Sequence, residues 1–435
     1  MPAPFAPLLA IALPESLRSE HVLWVLALPV LAAIVVATLW RSRLSEAGRA
    51  WSKRLTVATI VAFTLLNLAI FAHINLKPRD WDYKYFWLWG AAAAEGTNPY
   101  DRENLLRIAE PLGLSQELID ELACYYPPPS LLQFWPFGYL PFRAALLAWN
   151  VTMLAGMLLA LWLLCDTFAS GRRRDLAPAL LAVALAFWPS SATVAFSQQN
   201  YWILVTLLLF WRSRGRPIGG FWLAVGVAFK PLTLLVLLHP LLHGRWKSLL
   251  AAAGGMALLT LAAVVVLGPE VFAQFLEREG ISAQYRITQG VNQSLPGTLL
   301  RWQMGATAEG ADLLFQSPWI VATMTLVGAA TAWVVWRSRG AGEPFALGAL
   351  LAMTLLVYPG TLSHYAVHLL PAMALLLVGL GCENESVERG PKTAAAALIA
   401  ALAFAAFKAT FFSTLIVWLA MCYEARRLER PSLKA

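Results

Sequence analysis

The residues best suited to chemistry in this chain are polar groups set inside apolar surroundings. Lys230 stands before Pro231, between the uncharged runs 217–229 and 231–242. An ionisable group at such depth is costly and marks a substrate or ion path. An ammonium there offers a point charge to an anion such as a phosphate, although a lysine can also snorkel its charge to the interface. Asp80 and Asp82 follow the end of an apolar run and lead into Tyr83-Lys84-Tyr85-Phe86-Trp87-Leu88-Trp89. A carboxylate partly desolvated beneath aromatic rings suits a general base. The ordinary alternative is a loop aspartate paired with Lys77, Arg79 or Lys84, and Asp80 competes with Asp82 for the same role. Gln198, Asn200, Asn292 and Gln293 supply amides, Arg286 and Arg301 further cations, and Ser363, His364, His368 and Lys408 complete the set. Trp81, Trp87 and Trp89 can stack on a sugar face or serve as interfacial anchors.

Several chemistries find no pattern here. His364 and His368 lie four apart without an acidic partner, so no zinc motif forms and no metal is expected. Cys124, Cys165, Cys382 and Cys422 are widely spaced, only Cys124 falls in an outer loop, and no structural disulfide is expected. Glycine-rich phosphate cradles and Ser/His/Asp sets are absent, which excludes a nucleotide-driven pump and a serine hydrolase. The excess of 33 Lys+Arg over 25 Asp+Glu is spread over short loops, so it reports orientation and no nucleic-acid partner.

The elements that must position these residues are membrane helices. The 435 residues are 59% hydrophobic and 13% charged, which excludes a soluble enzyme; several uncharged runs reach the roughly 20 residues a span needs, which excludes a single-pass receptor. Basic clusters at 41–54, 172–174, 212–216, 243–247 and 337–339, with the tail 426–434, mark the cytoplasmic side. Full spans are expected near 21–40, 55–76, 144–165, 248–268 and 317–336. The runs 176–211, 217–242, 344–380 and 392–423 each start and end inside, so each is expected to be a hairpin of short helices. Their outer turns fall at Trp188-Pro189-Ser190-Ser191 and Ser197-Gln198-Gln199-Asn200, at Lys230-Pro231, at 358–364 and near Lys408. Each half of 217–242 reaches only about 18 Å, less than the roughly 30 Å hydrocarbon core. About 13 helices result, with the N-terminus outside, the C-terminus inside and no cleaved signal peptide. Two outer segments, 77–128 and 269–317, are too polar to span; within the first, 102–122 reads as a surface helix, and 131–140 reads as an apolar piece at the interface. The polar residues collect on one side, which implies a single outer cavity.

Taken in order, Asp82 followed nineteen residues on by Asp101 in Asn98-Pro99-Tyr100-Asp101, then Tyr126-Pro127-Pro128, Ser197-Gln198-Gln199-Asn200, Lys230-Pro231, Asn292-Gln293-Ser294 and Ser363-His364 ahead of Pro371 resemble the membrane glycosyltransferases of family 87 in the GT-C superfamily. The resemblance runs over about 55–425. Departures are Phe86-Trp87 for a tyrosine pair, Ser197 for glycine, and His364-Tyr365 for paired histidines. The resemblance implies an all-α GT-C fold of about 12 core helices in 55–425, an added helix and basic loop in 1–54, and a basic tail in 426–435. It implies transfer of a hexose, mannose first among the candidates, from a polyprenyl-phosphate donor to a glycolipid or glycan acceptor at the periplasmic face of a bacterial inner membrane. Asp82 would be the general base of an inverting single displacement, and His364 would orient the acceptor or touch phosphate. Lys230, Gln198, Asn200, Arg286 and Arg301 would hold the donor phosphate, with Asp80, Trp87, Tyr126, Asn292 and Gln293 near sugar or acceptor. A phosphate leaves without protonation, so no second carboxylic acid is needed.

A flippase of lipid-linked sugars would also use an outer polar cavity, but transporters often carry inverted repeats and a midplane site, and no repeat is found. A non-catalytic scaffold for envelope assembly is the third class. The resemblance, through its nineteen-residue spacing to Asp101, implies Asp82 as the base and not Asp80. Asp82→Asn is expected to keep donor binding and folding while lowering turnover by about 10² or more; an inactive Asp80→Asn beside an active Asp82→Asn shows the register to be wrong.

Overall fold

The computed structural model describes residues 22–77, 83–114, 122–124, 126–277, 287–305, 314, 317–379 and 389–429. Among them the architecture is all-helical, and the one β feature is an isolated antiparallel bridge between Asn292 and Leu362. Asp80, Asp82 and Arg286 lie outside the described residues.

Six helices are long and apolar enough to cross a membrane: Val22–Leu39, Glu46–Leu76, Phe142–Phe168, Trp246–Leu267, Pro318–Arg337 and, with its leading turn, Gly340–Val357. The pair Arg173–Ala186 and Trp188–Ala195, bent by 54°, makes a seventh if read as one span. Their outward faces are apolar, as lipid requires: Leu258, Leu261 and Val265 on one helix and Leu65 and Leu68 on another are exposed. The remaining apolar helices are short. Pro217–Phe229 is followed directly by Pro231–Leu242, which begins as a 3-10 turn, and Ser363–Leu369 is a 3-10 segment running into Leu370–Gly379. Arg389–Ala406 and Thr410–Glu429 meet at a tight turn where Lys408 adopts φ 56. Breaks thus occur at Lys230, at 358–362 and at Lys408, as expected from the sequence.

The core is assembled from short helices packed on long ones and from neighbouring long helices. Pro217–Phe229 packs on Trp246–Leu267 and on Asn200–Ser213, while Glu343–Val357 packs on Thr410–Glu429. A Cβ on Gly220 would fall 1.7 Å from the Ser248 carbonyl oxygen, so the first of these crossings needs a bare backbone.

The outer segments form a second, aromatic cluster. Helix Tyr83–Ala94 buries Phe86 and Trp89 against Phe134 and Trp149; the Phe86 and Phe134 rings stack at 4.6 Å. The short helix Trp135–Gly138 lies so close that a Cβ on Gly138 would approach the Gly90 carbonyl to 2.1 Å. The surface helix expected over 102–122 is shorter. It runs Arg102–Ala109, continues as a 3-10 turn to Leu112 and ends at Gly113 with φ 58; Pro111 removes an amide there and glycine accepts the left-handed cap. The interfacial piece 131–140 consists of the ends of two short helices, Pro128–Leu131 and Trp135–Gly138.

Single cysteines at positions 101 and 290 are expected to react with an impermeant thiol reagent from one side of sealed vesicles, and those at 173, 214 and 340 from the other. Labelling of 214 from the same side as 101 would break the hairpin assignment.

Candidate functional site

Four helix breaks meet in the interior. The first is the chain around Tyr126, held where the Tyr126 carbonyl accepts a 2.6 Å hydrogen bond from the Tyr100 hydroxyl. The second is Ser197-Gln198-Gln199-Asn200, between helices Trp188–Ala195 and Asn200–Ser213. Ser197 takes φ 50, and its carbonyl accepts from Trp149 Nε1 at 2.7 Å. The third is Lys230, whose extended backbone (φ −158, ψ 123) caps Pro217–Phe229; the Phe229 carbonyl accepts from Gln133 Nε2 at 3.3 Å. The fourth is the 3-10 segment Ser363–Leu369 carrying His364 and His368.

Side chains lock these breaks together. Gln199 Nε2 donates to the Tyr126 hydroxyl at 3.1 Å, and Asn200 Nδ2 approaches the His364 carbonyl at 3.5 Å. His368 Nε2 lies 3.2 Å from the Asn200 carbonyl; a carbonyl only accepts, so that nitrogen carries the proton and Nδ1 is a bare acceptor. Lys230 is 3% exposed. Its Nζ sits 3.5 Å from the centre of the Tyr365 ring and 5.9 Å from that of Tyr126, within cation–π reach. Among the described residues, Gln199 Oε1, Asn200 Oδ1, His364 Nε2 and His368 Nδ1 are buried without a hydrogen-bond partner. Orphaned buried polar atoms in one neighbourhood are what a polar ligand would satisfy. A cation beside acceptors suits a molecule that joins an anionic group to hydroxyls.

The other candidates divide differently. Tyr126, Gln198, Asn200, Lys230 and His364 come together, whereas Asn292, Gln293 and Arg301 form a brace. Asn292 Nδ2 donates to the Pro359 carbonyl at 2.6 Å; Gln293 donates its backbone N–H to Thr361 at 2.7 Å and accepts from the Phe411 amide at 3.2 Å. Arg301 Nη1 donates to the carbonyls of Gln289 and Asn292, both at 2.7 Å, and Nη2 to Thr298. Burial lowers the Arg301 guanidinium to about 10, still charged at neutral pH. Together these bonds pin the second outer segment to the tip of one hairpin and the start of helix Thr410–Glu429. Trp87 donates Nε1 to the Leu140 carbonyl at 3.0 Å and packs on Phe142, an interfacial anchor. Asp101 caps helix Arg102–Ala109 through the Glu103 amide. Lys408 lies 5.7 Å from the Trp188 ring.

Two residues at the site were missed in the sequence. Gln199 lies between the two candidate amides Gln198 and Asn200, and Tyr365 stands beside His364 as a departure from a histidine pair. Their neighbours in sequence, not their own types, were the signal.

A third group lies at the opposite end. His239, His243 and Glu343 place one possible ligand atom each within 4.8 Å of one another. Glu343 Oε1, however, accepts from Arg245 at 2.8 Å and from Arg214 at 3.0 Å. Burial first, then the neighbouring His239, lowers His243 to about 4. With two guanidiniums already on the carboxylate, the cluster is an ion-pair hub that ties three loops together and is poorly suited to a divalent cation.

A bundle of long spans and broken short helices, whose breaks bury one lysine among amides and imidazoles, defines a multi-pass membrane protein with an internal polar site. The chain belongs to glycosyltransferase family 87, whose model matches residues 125–359, more than half of it. That match covers Tyr126, Gln198, Asn200, Lys230, Asn292 and Gln293, starts after Asp82 and stops before His364. The chain is 30% identical over 293 residues to a polyprenol-phosphate-mannose-dependent alpha-(1-2)-phosphatidylinositol mannoside mannosyltransferase of Mycobacterium tuberculosis, covering 62% of this chain and 64% of the relative. It is 26% identical over 270 residues to an alpha-(1->3)-arabinofuranosyltransferase of the same species, covering 58% of each. The chain therefore spans less than two thirds of the length of these relatives. No solved structure matches it significantly.

Ser197, a departure from glycine in the resemblance, holds a left-handed backbone. Ser197→Gly is expected to leave the thermal midpoint in micelles equal or higher. Ser197→Val, β-branched in that region, should cost about 1–3 kcal/mol; equal midpoints for the two would remove backbone strain from the account.

Proposed function

We propose that this protein is a membrane glycosyltransferase that moves a hexose, mannose first, from a polyprenyl-phosphate donor to a glycolipid or glycan acceptor. The observation that carries the proposal is the burial of Lys230 where four helix breaks converge, beside the orphaned polar atoms of Gln199, Asn200, His364 and His368. The donor phosphate binds at Lys230 with Gln198 and Asn200 nearby, and the sugar hydroxyls meet the free acceptors. Asp82 takes the proton from the acceptor hydroxyl as it attacks the anomeric carbon, the polyprenyl phosphate leaves as an anion, and configuration inverts. Arg286 remains a phosphate candidate, and Asp80 remains near the acceptor. Arg301, Asn292 and Gln293 brace the second outer segment through the bonds described above, and they remain candidates for contact with donor phosphate, sugar or acceptor. The short helix pairs cross as hairpins, for about 13 crossings in all. The cavity opens to the periplasm of a bacterial inner membrane, a reading supported by the distribution of basic loops.

Support for mannose comes from the name of the mannosyltransferase relative; the arabinofuranosyltransferase relative makes a pentofuranose the second candidate. The test is donor affinity in purified protein with labelled polyprenyl-phosphate mannose and polyprenyl-phosphate arabinofuranose. Lys230→Met should weaken the accepted donor by about tenfold or more, on the scale of a lost charge-assisted hydrogen bond, with Lys230→Arg keeping part of the affinity. Unchanged affinity within about twofold, roughly 0.4 kcal/mol, would make Lys230 a snorkelling residue and remove it from the site.

A further inference from the structure

At the end of the bundle opposite the candidate active site there is a cavity of about 370 Å³ whose walls differ in character. Its lining includes the apolar Phe168, Trp211, Leu375 and Val378. It also carries Arg173, Arg212 and Arg214, with Asp166 as the one carboxylate among its lining residues. Arg212 pairs with Asp166, and Arg214 pairs through Nε with Glu343 at 3.0 Å. Glu343 also pairs with Arg245 at 2.8 Å, so it offsets Arg214 only in part. Arg173 is half-buried and, among the described residues, its guanidinium has neither hydrogen bond nor ion pair, while its backbone N–H donates to the Ser170 carbonyl. The lining therefore sets three guanidiniums against one carboxylate, one of them unpaired and two with unspent N–H groups.

We propose that this cavity binds the phosphodiester of an anionic phospholipid, with Arg173 as its anchor and the apolar lining receiving the first part of an acyl chain. The positive balance of the lining, three guanidiniums to one carboxylate, suits an anionic group such as a phosphodiester. The planar fork of arginine fits two phosphate oxygens, and a second guanidinium with N–H groups to spare can share them. Basic pockets between membrane helices at the cytoplasmic surface are suited to such headgroups, and the surface potential there favours anionic lipid. The site is formed by the ends of helices Phe142–Phe168, Asn200–Ser213 and Leu370–Gly379 with the start of Glu343–Val357. Helix Asn200–Ser213 begins at the Gln199–Asn200 end of the candidate active site, so one rigid element joins the two.

Full-length protein would be delipidated in a neutral detergent and examined by native mass spectrometry with phosphatidylglycerol, with phosphatidylcholine, and with millimolar inorganic phosphate. Phosphatidylglycerol should remain bound under conditions that strip phosphatidylcholine. Arg173→Gln should lower its occupancy about tenfold, on the scale of one lost charge-assisted contact, with Arg173→Lys recovering part. Arg337→Gln, a charge change at the same end but away from the cavity, should leave occupancy unchanged. Thermal midpoints of the variants confirm that each is folded. Equal retention of both lipids, or equal occupancy in wild type and Arg173→Gln, overturns the proposal. Displacement of phosphatidylglycerol by millimolar inorganic phosphate, with phosphate retained in its place, assigns the same chemistry to a soluble anion and overturns the lipid.

Discussion

A helix that stops inside hydrocarbon must hand its terminal amides and carbonyls to some partner, because lipid offers none. That constraint organises this structure. The carbonyls at the breaks are met by side chains from other parts of the chain: Ser197 by Trp149, Phe229 by Gln133, His364 by Asn200, and Asn200 by His368. Polar residues that would be a liability alone satisfy one another once gathered. Their gathering leaves a few atoms over, and those remaining atoms are the material of a binding site.

The same constraint explains why amides outnumber charges in the interior. A neutral amide both donates and accepts, so Gln199 can fix Tyr126 through its nitrogen and still present its oxygen. A carboxylate placed there would need a proton or a cation. Charged groups are concentrated at the ends instead. Glu343 gathers Arg214 and Arg245 at the basic end, where water and headgroups lower the cost of an imperfect pair. Arg301 is the exception at the other end, and its Nη1 and Nη2 hydrogen bonds go to protein oxygens.

The breaks were legible in the sequence because proline, glycine and polar residues interrupt otherwise uncharged runs, and the alternation of basic clusters supplied their common side. Lys230, Gln198, Asn200 and His364 could be chosen on that ground. What each polar side chain bonds was not legible. Asn292, Gln293 and Arg301 have the types of a ligand site, yet the approach of chain segments about 70 residues apart turns them into a brace. The length of the surface helix after Asp101 was readable and was overextended, since Pro111 and Gly113 both announce its end. Gln199 shows the opposite failure: adjacent residues on a turn point different ways, and only the fold tells which one reaches Tyr126.

The departure at Tyr365 then has an electrostatic sense. His364 and His368 already face the electrostatic reach of Lys230, and a further imidazole in place of Tyr365 would add a group able to gain like charge beside the ammonium. A phenol ring at 3.5 Å offers its electron-rich face and stays neutral. Contact with a ring face is worth about 0.5–2 kcal/mol, enough to orient the lysine. A charge-assisted hydrogen bond to phosphate is worth about 1.5–3 kcal/mol, so an arriving anion can take the ammonium's N–H groups while the ring stays behind it. Tyr365 thereby fixes the direction of the charge without competing for it, which is what an anion site needs from the residue next to its cation.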